Sequence, residues 1–241
     1  MNIAQKTVLI TGANRGIGRA LVQEALRRGA KRVYAGTRGT LDIADERVTP
    51  VTLDVTSAEQ IQRAVNEVDS LDILINNAGI ALYDDLSKSD AVEQSLAVNF
   101  FGPFNVTRAF LPLLKRSKGA IVNNLSLMAL APLPLTPSYA ISKAAALSMT
   151  QSLRALLARE GVTVHGVFLG PTDTDMTRGF EIPKASPESV AQGIFDGLAN
   201  GEEDIFPDPL SQSIAEGWRT GVAKEFERQY AGFVPQSAAA L

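Results

Sequence analysis

Tyr139 and Lys143 stand four residues apart in the stretch Pro137-Ser138-Tyr139-Ala140-Ile141-Ser142-Lys143. On a helix that spacing stacks both side chains on one face. A phenol is a proton donor whose ordinary pKa is about 10, and an ammonium group one turn away favours its phenolate. Together they could deliver a proton near neutral pH. The competing reading is an ordinary amphipathic helix start, with a core tyrosine and a solvated lysine. Other proton carriers are scarce, for the 241 residues hold one histidine, His165, and no cysteine. That excludes disulfide scaffolds, cysteine-ligated zinc, thiol nucleophiles and Cys/His dyads. A carboxylate-only metal site has no spacing behind it, so no metal is expected. His165 lies in a predicted strand and reads as a packed residue.

A pair of this kind has to be held against a substrate by a scaffold. Strand-like runs near Thr7–Thr11, Arg32–Gly36, Val48–Leu53, Asp72–Asn76, Ala120–Asn124, Val162–Leu169 and Asp204–Phe206 alternate with helical patterns. The helical patterns lie near Gly16–Arg28, Ala58–Val68, Ala91–Arg116, Ser138–Arg159, Pro187–Ala199 and Leu210–Tyr230. Continuous apolar strands alternating with helices predict an α/β fold, a doubly wound parallel sheet with helices on both faces. No linker, composition shift or internal repeat divides residues 1–241, so one domain is expected. Only Thr37 to Arg47 separates the second and third strands, less than a crossover helix ordinarily needs. A short turn or abbreviated helix there would leave that side of the sheet edge open.

Thr11-Gly12-Ala13-Asn14-Arg15-Gly16-Ile17-Gly18 follows the first strand and opens the first helix. Glycines there let the backbone turn tightly and approach a pyrophosphate, whose charge meets N–H groups at the helix N-terminus. The G-x-x-x-G-x-G spacing differs from the G-x-G-x-x-G of many dinucleotide binders, and glycines alone could serve close packing. Their place between strand and helix favours the cofactor reading. The second strand ends at Thr37 and Arg38, where an acidic residue would bind an adenosine ribose diol and repel a phosphate on it. Arg38 and Arg15 suit a 2′-phosphate through bidentate, charge-assisted bonds, which selects NADP(H) over NAD(H). Solvated surface arginines are the plain alternative, and Asp42 lies well past the strand end.

A hydrophobic content of 45% suits a globular protein with a substantial core. The formal net charge of −3, with no basic block, gives no reason to expect nucleic acid or an anionic membrane as partner. An apolar run begins at Thr7, leaving no room for a signal peptide, and the most apolar candidate span, Leu125 to Leu135, is short and holds Pro132 and Pro134. A cytoplasmic location is the expectation.

With these pieces in order, the chain resembles the short-chain dehydrogenase/reductase family over nearly its whole length. The landmarks are Thr11-Gly12-x-x-x-Gly16-x-Gly18, Asp54-Val55, Asn76-Asn77-Ala78-Gly79, Asn99, Ser126, Tyr139-x-x-x-Lys143 and Gly170-x-x-x-Thr174. The resemblance implies a Rossmann-type sheet of seven strands, in the order 3-2-1-4-5-6-7, with cofactor and substrate at its carboxyl edge. It implies that Asp54 and Val55 contact adenine, and that Asn76, Ala78 and Gly79 border the adenosine ribose and stabilise the central strand. Tyr139 and Lys143 would hold the nicotinamide ribose, while Thr172 and Thr174, beside Gly170, reach the carboxamide and phosphates. Asn99 would help hold a water chain that reloads the proton through Lys143. Leu169 departs from the family pattern, which has Pro before this Gly; here Pro171 follows it.

Hydride addition to a carbonyl builds negative charge on oxygen, which a donor within hydrogen-bond reach must meet. Tyr139 fits that role, and Ser126 can orient the substrate oxygen and stabilise the developing charge. The substrate walls read as apolar. Leu127 to Ser138 carries no charge, and Leu82, Tyr83, Leu169, Met176 and Phe180 could complete the lining. Met176 to Pro187 has the family's position for a lid. The expected activity is an NADPH-dependent carbonyl reductase, reversible as an alcohol dehydrogenase, acting on uncharged hydrophobic ketones or aldehydes. An NAD-linked alcohol dehydrogenase and a non-catalytic dinucleotide sensor are the alternatives. Apolar side chains on more than one face of Ala91–Arg116, and small ones along the Tyr139 helix, suggest a homodimer or homotetramer built on paired helices. The segment from about Leu210 to Leu241 could close over substrate or join a neighbouring subunit.

Overall fold

The computed structural model describes residues 1–233. One parallel sheet contains β1 (Thr7–Thr11), β2 (Arg32–Thr37), β3 (Val48–Thr52), β4 (Ile73–Asn76), β5 (Ala120–Asn124), β6 (Thr163–Val167) and β7 (Asp204–Ile205). Their order is β3-β2-β1-β4-β5-β6-β7, as the resemblance implied. The helices are α1 (Gly16–Arg27), α2 (Ala58–Glu67), α3 (Asp90–Leu96), α4 (Gly102–Ser117), α5 (Pro137–Leu157), α6 (Pro187–Asn200), α7 (Pro209–Arg219) and α8 (Val222–Tyr230).

Side chains alternate across a strand, so a strand covered on both faces must be apolar throughout. In β1, Val8 and Ile10 join Leu21 and Val22 of α1 and Ile194 and Phe195 of α6 in one core layer. Leu9 joins Ile61 of α2, Phe110 of α4 and Leu153 of α5 in the other. The strand order reverses direction between β1 and β4, which opens a crevice at the carboxyl ends of these two strands.

Two predicted helices are interrupted. Ala91–Arg116 is α3 and α4 joined through a π turn at Ala97–Phe101. A π turn rotates the apolar face by one residue; on the two sides of it, Phe101 is 50% exposed and Phe110 fully buried. Leu210–Tyr230 breaks into α7 and α8 at Thr220–Gly221. A Cβ on residue 221 would sit 2.7 Å from the Gly217 carbonyl oxygen, so glycine alone fits the corner. The Thr37–Arg47 link holds turns and no helix, and its Leu41 and Ile43 pack against the α1 layer.

The C-terminal helices leave the carboxyl edge. Asp208 caps α7 and also accepts a 2.8 Å bond from the Gly170 N–H. Trp218 then packs on Phe168 and donates to the Asp204 carboxylate at 2.7 Å. Lys224 of α8, 2% exposed, pairs with Asp204 at 2.8 Å and with Glu203 and Glu227 at 3.0 Å. Arg154 of α5 binds Asp204 and Glu227 as well. The described part of the tail is thus fixed along β7 and α5, with Ala215 and Trp218 of α7 reaching the cluster that holds Leu127, Ala129 and Leu130 beyond Ser126; the last residues of the tail, 234–241, lie outside the described residues. His165 is packed, as its strand position suggested: its ring nitrogens meet the Glu202 carbonyl at 2.6 Å and the Thr163 hydroxyl at 2.9 Å. Among the described residues no helix is long and apolar enough to cross a membrane.

Candidate active site

The chain must turn sharply between Thr11, which ends β1, and Gly16, which starts α1. Gly12 (φ +67°) and Gly16 (φ +51°) adopt left-handed conformations that side chains disfavour. Gly18 meets a different need, since a Cβ there would lie 2.0 Å from the Gly12 carbonyl oxygen. Asn77, just past β4, pins the loop by donating to the carbonyls of Thr11 (2.9 Å) and Gly12 (3.2 Å). The Thr11 hydroxyl accepts from the N–H groups of Asn77 and Ala78, both at 3.0 Å. Gly12 and Asn14 to Gly18 border a cleft of about 800 Å³ and present to it the start of α1, where unpaired N–H groups favour an anion.

Thr37, Arg38, Asp54 and Val55 border the same cleft. The Thr37 hydroxyl accepts from the Gly39 N–H at 3.1 Å, and the Arg38 side chain projects beside it, 70% exposed. Asp54 accepts from the N–H and hydroxyl of Thr56, and these bonds, with Arg38 at 3.7 Å, hold its carboxyl below the usual range. Ala78, Gly79 and Thr174 also line the cleft, whereas Asn76, Gly170 and Thr172 do not. Consecutive residues of a strand point to opposite faces, so Asn76 turns into the α4–α5 layer while Asn77 meets the phosphate loop. The Asn76 amide donates to Thr107 (3.1 Å) and Asn123 (2.8 Å), and Asn123 donates to Thr150 (3.0 Å). Support of the central strand is therefore its visible work, rather than ribose contact. Gly170 is set against α7, for a Cβ there would lie 2.4 Å from the Asp208 carboxylate. Thr172 is 4% exposed and donates to the Gly170 carbonyl at 3.4 Å, one layer behind the cleft wall.

Tyr139 and Lys143 line the other end of the cleft, whereas Ser126 and Asn99 do not line it. Tyr139 and Lys143 sit one turn apart on α5, with the ammonium nitrogen 5.5 Å from the phenol ring centre. Lys143 donates to the Asn124 carbonyl at 2.7 Å. Ser126, in the loop that follows β5, accepts from the Met128 N–H at 3.1 Å, donates to the Leu169 carbonyl at 3.5 Å and lies near enough to the phenol to act on it. Burial pushes Tyr139 up to about 12, with Ser126 acting the other way, and brings Lys143 down to about 8. The expectation that Lys143 draws the phenol toward neutral pH is thus not met by the chain alone. Desolvation dominates both groups.

Asn99 lies on the π turn, 1% exposed. Its amide bonds both the N–H and the carbonyl of Ile80 at 2.9 Å and donates to the Ser142 hydroxyl at 2.9 Å. Ser142 in turn donates to the Tyr139 carbonyl at 2.7 Å. These bonds make Asn99 a clamp between the Ile80 loop and the Tyr139 helix. It remains close to the lysine: a Cβ on Gly79 would lie 3.1 Å from the Asn99 oxygen and 3.8 Å from the Lys143 nitrogen.

Three residues whose roles sequence reasoning missed complete the frame. Asn77 and Asn124 join at 2.9 Å, tying the phosphate loop to the strand end that holds Lys143. Asp84 secures the start of α5 by accepting from the Ser138 N–H (3.2 Å) and hydroxyl (2.8 Å), while the Thr136 side chain makes no cap bond. The apolar wall is Ile80, Ala81, Leu82, Val98, Leu169 and Met176. The segment expected to supply it, Leu127 to Ser138, does not line the cleft; its Leu127, Ala129 and Leu130 pack against the cluster of Phe168, Phe206 and Ala215. Tyr83 and Phe180 stack on each other, ring centres 6.1 Å apart, joining the Ile80 loop to the lid segment.

A glycine-rich strand-to-helix turn and a Tyr/Lys pair, placed at one crevice of a doubly wound sheet, define a dinucleotide-dependent oxidoreductase fold. The short chain dehydrogenase family model matches residues 6–184, and the chain belongs to that family. It is 34% identical over 228 residues to 11-beta-hydroxysteroid dehydrogenase-like 3 of Arabidopsis thaliana, covering 85% of this chain and 74% of that one. It is 34% identical over 197 residues to estradiol 17-beta-dehydrogenase 2 of Mus musculus, covering 75% of this chain and only 51% of the mouse protein. Among solved structures, a short chain dehydrogenase from Burkholderia cenocepacia J2315 in complex with NADP superposes with a TM-score of 0.87 at 36% identity, covering 98% of this chain and 100% of that one. ElxO with NADP bound superposes at 0.77 with 25% identity, covering 87% and 99%.

Proposed function

We propose that this protein is an NADPH-dependent carbonyl reductase, reversible as an alcohol dehydrogenase, acting on uncharged hydrophobic ketones or aldehydes. The reading rests on Tyr139 and buried Lys143, one turn apart on α5 at the wall of the cleft that the phosphate loop also borders. The reduced nicotinamide, when bound, supplies the hydride. The chain's own groups do the rest. The start of α1 receives a pyrophosphate, Arg15 and Arg38 bind a 2′-phosphate, and Lys143 holds the nicotinamide ribose. Tyr139 gives its proton to the carbonyl oxygen, which Ser126 also hydrogen-bonds. NADP in the Burkholderia and ElxO structures supports the choice of cofactor. The cations that line the cleft, Arg15, Arg38 and Lys143, are assigned to the nucleotide and the catalytic pair, and the rest of the wall near Tyr139 is apolar, which supports neutral substrates.

The same reading includes a cytoplasmic protein, supported by the lack of cysteine, and a homo-oligomer. Ile141, Ala144, Ser148, Ser152 and Leu156 form an exposed stripe along α5, and its small residues permit close approach of a second helix.

A panel of carbonyl compounds with NADPH and with NADH, run beside Tyr139→Phe, tests the function. Neutral aryl ketones should turn over faster than keto acids, and faster with NADPH. The variant should lose about 10²- to 10⁴-fold in kcat. Faster keto acid reduction would reject the substrate class, a preference for NADH would reinstate the NAD-linked alternative, and cofactor binding without turnover would favour the sensor.

A further inference from the structure

Arg15 leaves the phosphate loop and meets Asp175, which opens the short lid turn Asp175–Thr177, at 2.9 Å. The second carboxylate oxygen of Asp175 is held by Arg178. Both Arg15 and Asp175 border the cofactor cleft, and Asp175 also borders a second, polar cavity of about 620 Å³ with Arg19, Arg178 and Lys184. One carboxylate therefore stands between two cavities and binds two guanidinium groups. Of the two arginines suited to a 2′-phosphate, Arg38 is lightly engaged, 3.7 Å from Asp54. Arg15 makes one 2.9 Å bond to Asp175, through a single guanidinium nitrogen. A phosphate that takes the Arg15 fork bidentately needs the nitrogen that Asp175 now holds, so the two acceptors compete for it.

We propose that Asp175 is a specificity-determining residue, setting the margin by which the cleft prefers a 2′-phosphorylated dinucleotide. It holds Arg15 until the phosphate displaces it, and the broken ion pair lowers the phosphate's net affinity. The inference rests on the NADP(H) reading above. Exchange is open to both groups, whose side chains are 71% and 45% exposed. Asp175 keeps Arg178 afterwards, so no charge is stranded. By reciprocity, a nucleotide phosphate that takes Arg15 also loosens the lid turn from the phosphate loop, leaving Thr174 packed near Gly16 as the contact between them.

Equilibrium titration with NADP⁺ and NAD⁺, followed calorimetrically, tests the proposal in the wild type, Asp175→Asn, Arg15→Ala and the double variant. Asp175→Asn should tighten NADP⁺ about two- to fivefold, the range of an exposed ion pair, and leave NAD⁺ unchanged. The gain should vanish in the Arg15→Ala background. Equal shifts for both nucleotides would make Asp175 a lid contact only and overturn the proposal. So would an unchanged ratio, or a gain that persists without Arg15. Whether the wild type prefers NADP⁺ at all tests the cofactor reading separately, because the Asp175 inference is judged on the change in ratio.

Discussion

Replacing Lys143 with methionine, a side chain of similar length and no charge, isolates what burying the ammonium group does to the fold. Lys143 is 5% exposed, and burial takes its pKa from the ordinary 10.5 to about 8. At about 1.36 kcal/mol per decade, keeping the charge in the folded state at neutral pH costs about 3 kcal/mol relative to the unfolded chain. The sign follows from proton counts. Between the two pKa values the unfolded lysine holds its proton more tightly than the folded one, so stability rises with pH across that window. Below it, both states are protonated and the penalty is constant. Methionine removes the penalty but leaves the Asn124 carbonyl without the donor it has now at 2.7 Å, a loss of about 1–3 kcal/mol. Lys143→Met should therefore match the wild type at pH 7 or exceed it by up to about 2 kcal/mol.

The informative reading is the difference between the two proteins as a function of pH, by urea denaturation without nucleotide. The wild type should gain about 2.5 kcal/mol on the variant between pH 7 and pH 10. The series stops there because Tyr139, raised to about 12 from 10.0, titrates first in the unfolded chain and lowers the stability of both proteins above that pH. Parallel curves for the two proteins would refute the claim that burial shifts the lysine, and with it the account of the catalytic pair.

Two further outcomes follow from the geometry. Gly18→Ala would put a Cβ 2.0 Å from the Gly12 carbonyl oxygen, so the phosphate loop must move; calorimetry should show at least about tenfold weaker nucleotide binding, roughly 1.4 kcal/mol or more, and unchanged affinity would show that the loop does not position the pyrophosphate. Light scattering at micromolar concentration should give the mass of a dimer or tetramer, and Ile141→Glu in the exposed α5 stripe should reduce it; a monomeric wild type would remove the paired-helix reading.

Much of the scaffold was legible because burial on both faces leaves a plain signature, the apolar run. β1, β4 and β5 are the clearest such runs, while the edge strand β3, Val48-Thr49-Pro50-Val51-Thr52, is mostly unburied and shows only its valines; the strand order came from the resemblance. The interruptions were not legible. A π turn changes the helix phase by one residue without any special residue type, and the break at Gly221 depends on the Gly217 carbonyl lying opposite. The Tyr139–Lys143 pair and the glycine loop could be read from spacing alone. Their supports could have been suspected from two polar doublets ending apolar strands, Asn76-Asn77 and Asn123-Asn124, which pair in register at Asn76 and Asn123. Alternation sends one member of each doublet to each face, and only one face carries the cofactor cleft. Asp84 had no such signal, for it acts on Ser138, 54 residues away. That Leu127, Ala129 and Leu130 of the expected Leu127 to Ser138 wall pack against Phe168 and α7 had no signal in spacing either, because α7 returns to them from far along the chain.

The two perturbed pKa values bear on the direction of the reaction. Tyr139 at about 12 keeps its proton at neutral pH, so the acid needed for carbonyl reduction is already in the right form. Alcohol oxidation must begin from the phenolate, which the buried site disfavours and Lys143, itself partly discharged near pH 8, stabilises only in part. Neighbouring Ser126 offsets some of the burial, pulling the phenol back toward its ordinary value. On the proposed reading, these shifts predict faster reduction near pH 7 and an oxidation rate that rises under alkaline conditions. A rate of oxidation that is flat from pH 7 to pH 10, measured with saturating nucleotide and alcohol, would mean that the phenol does not carry the proton in the slow step.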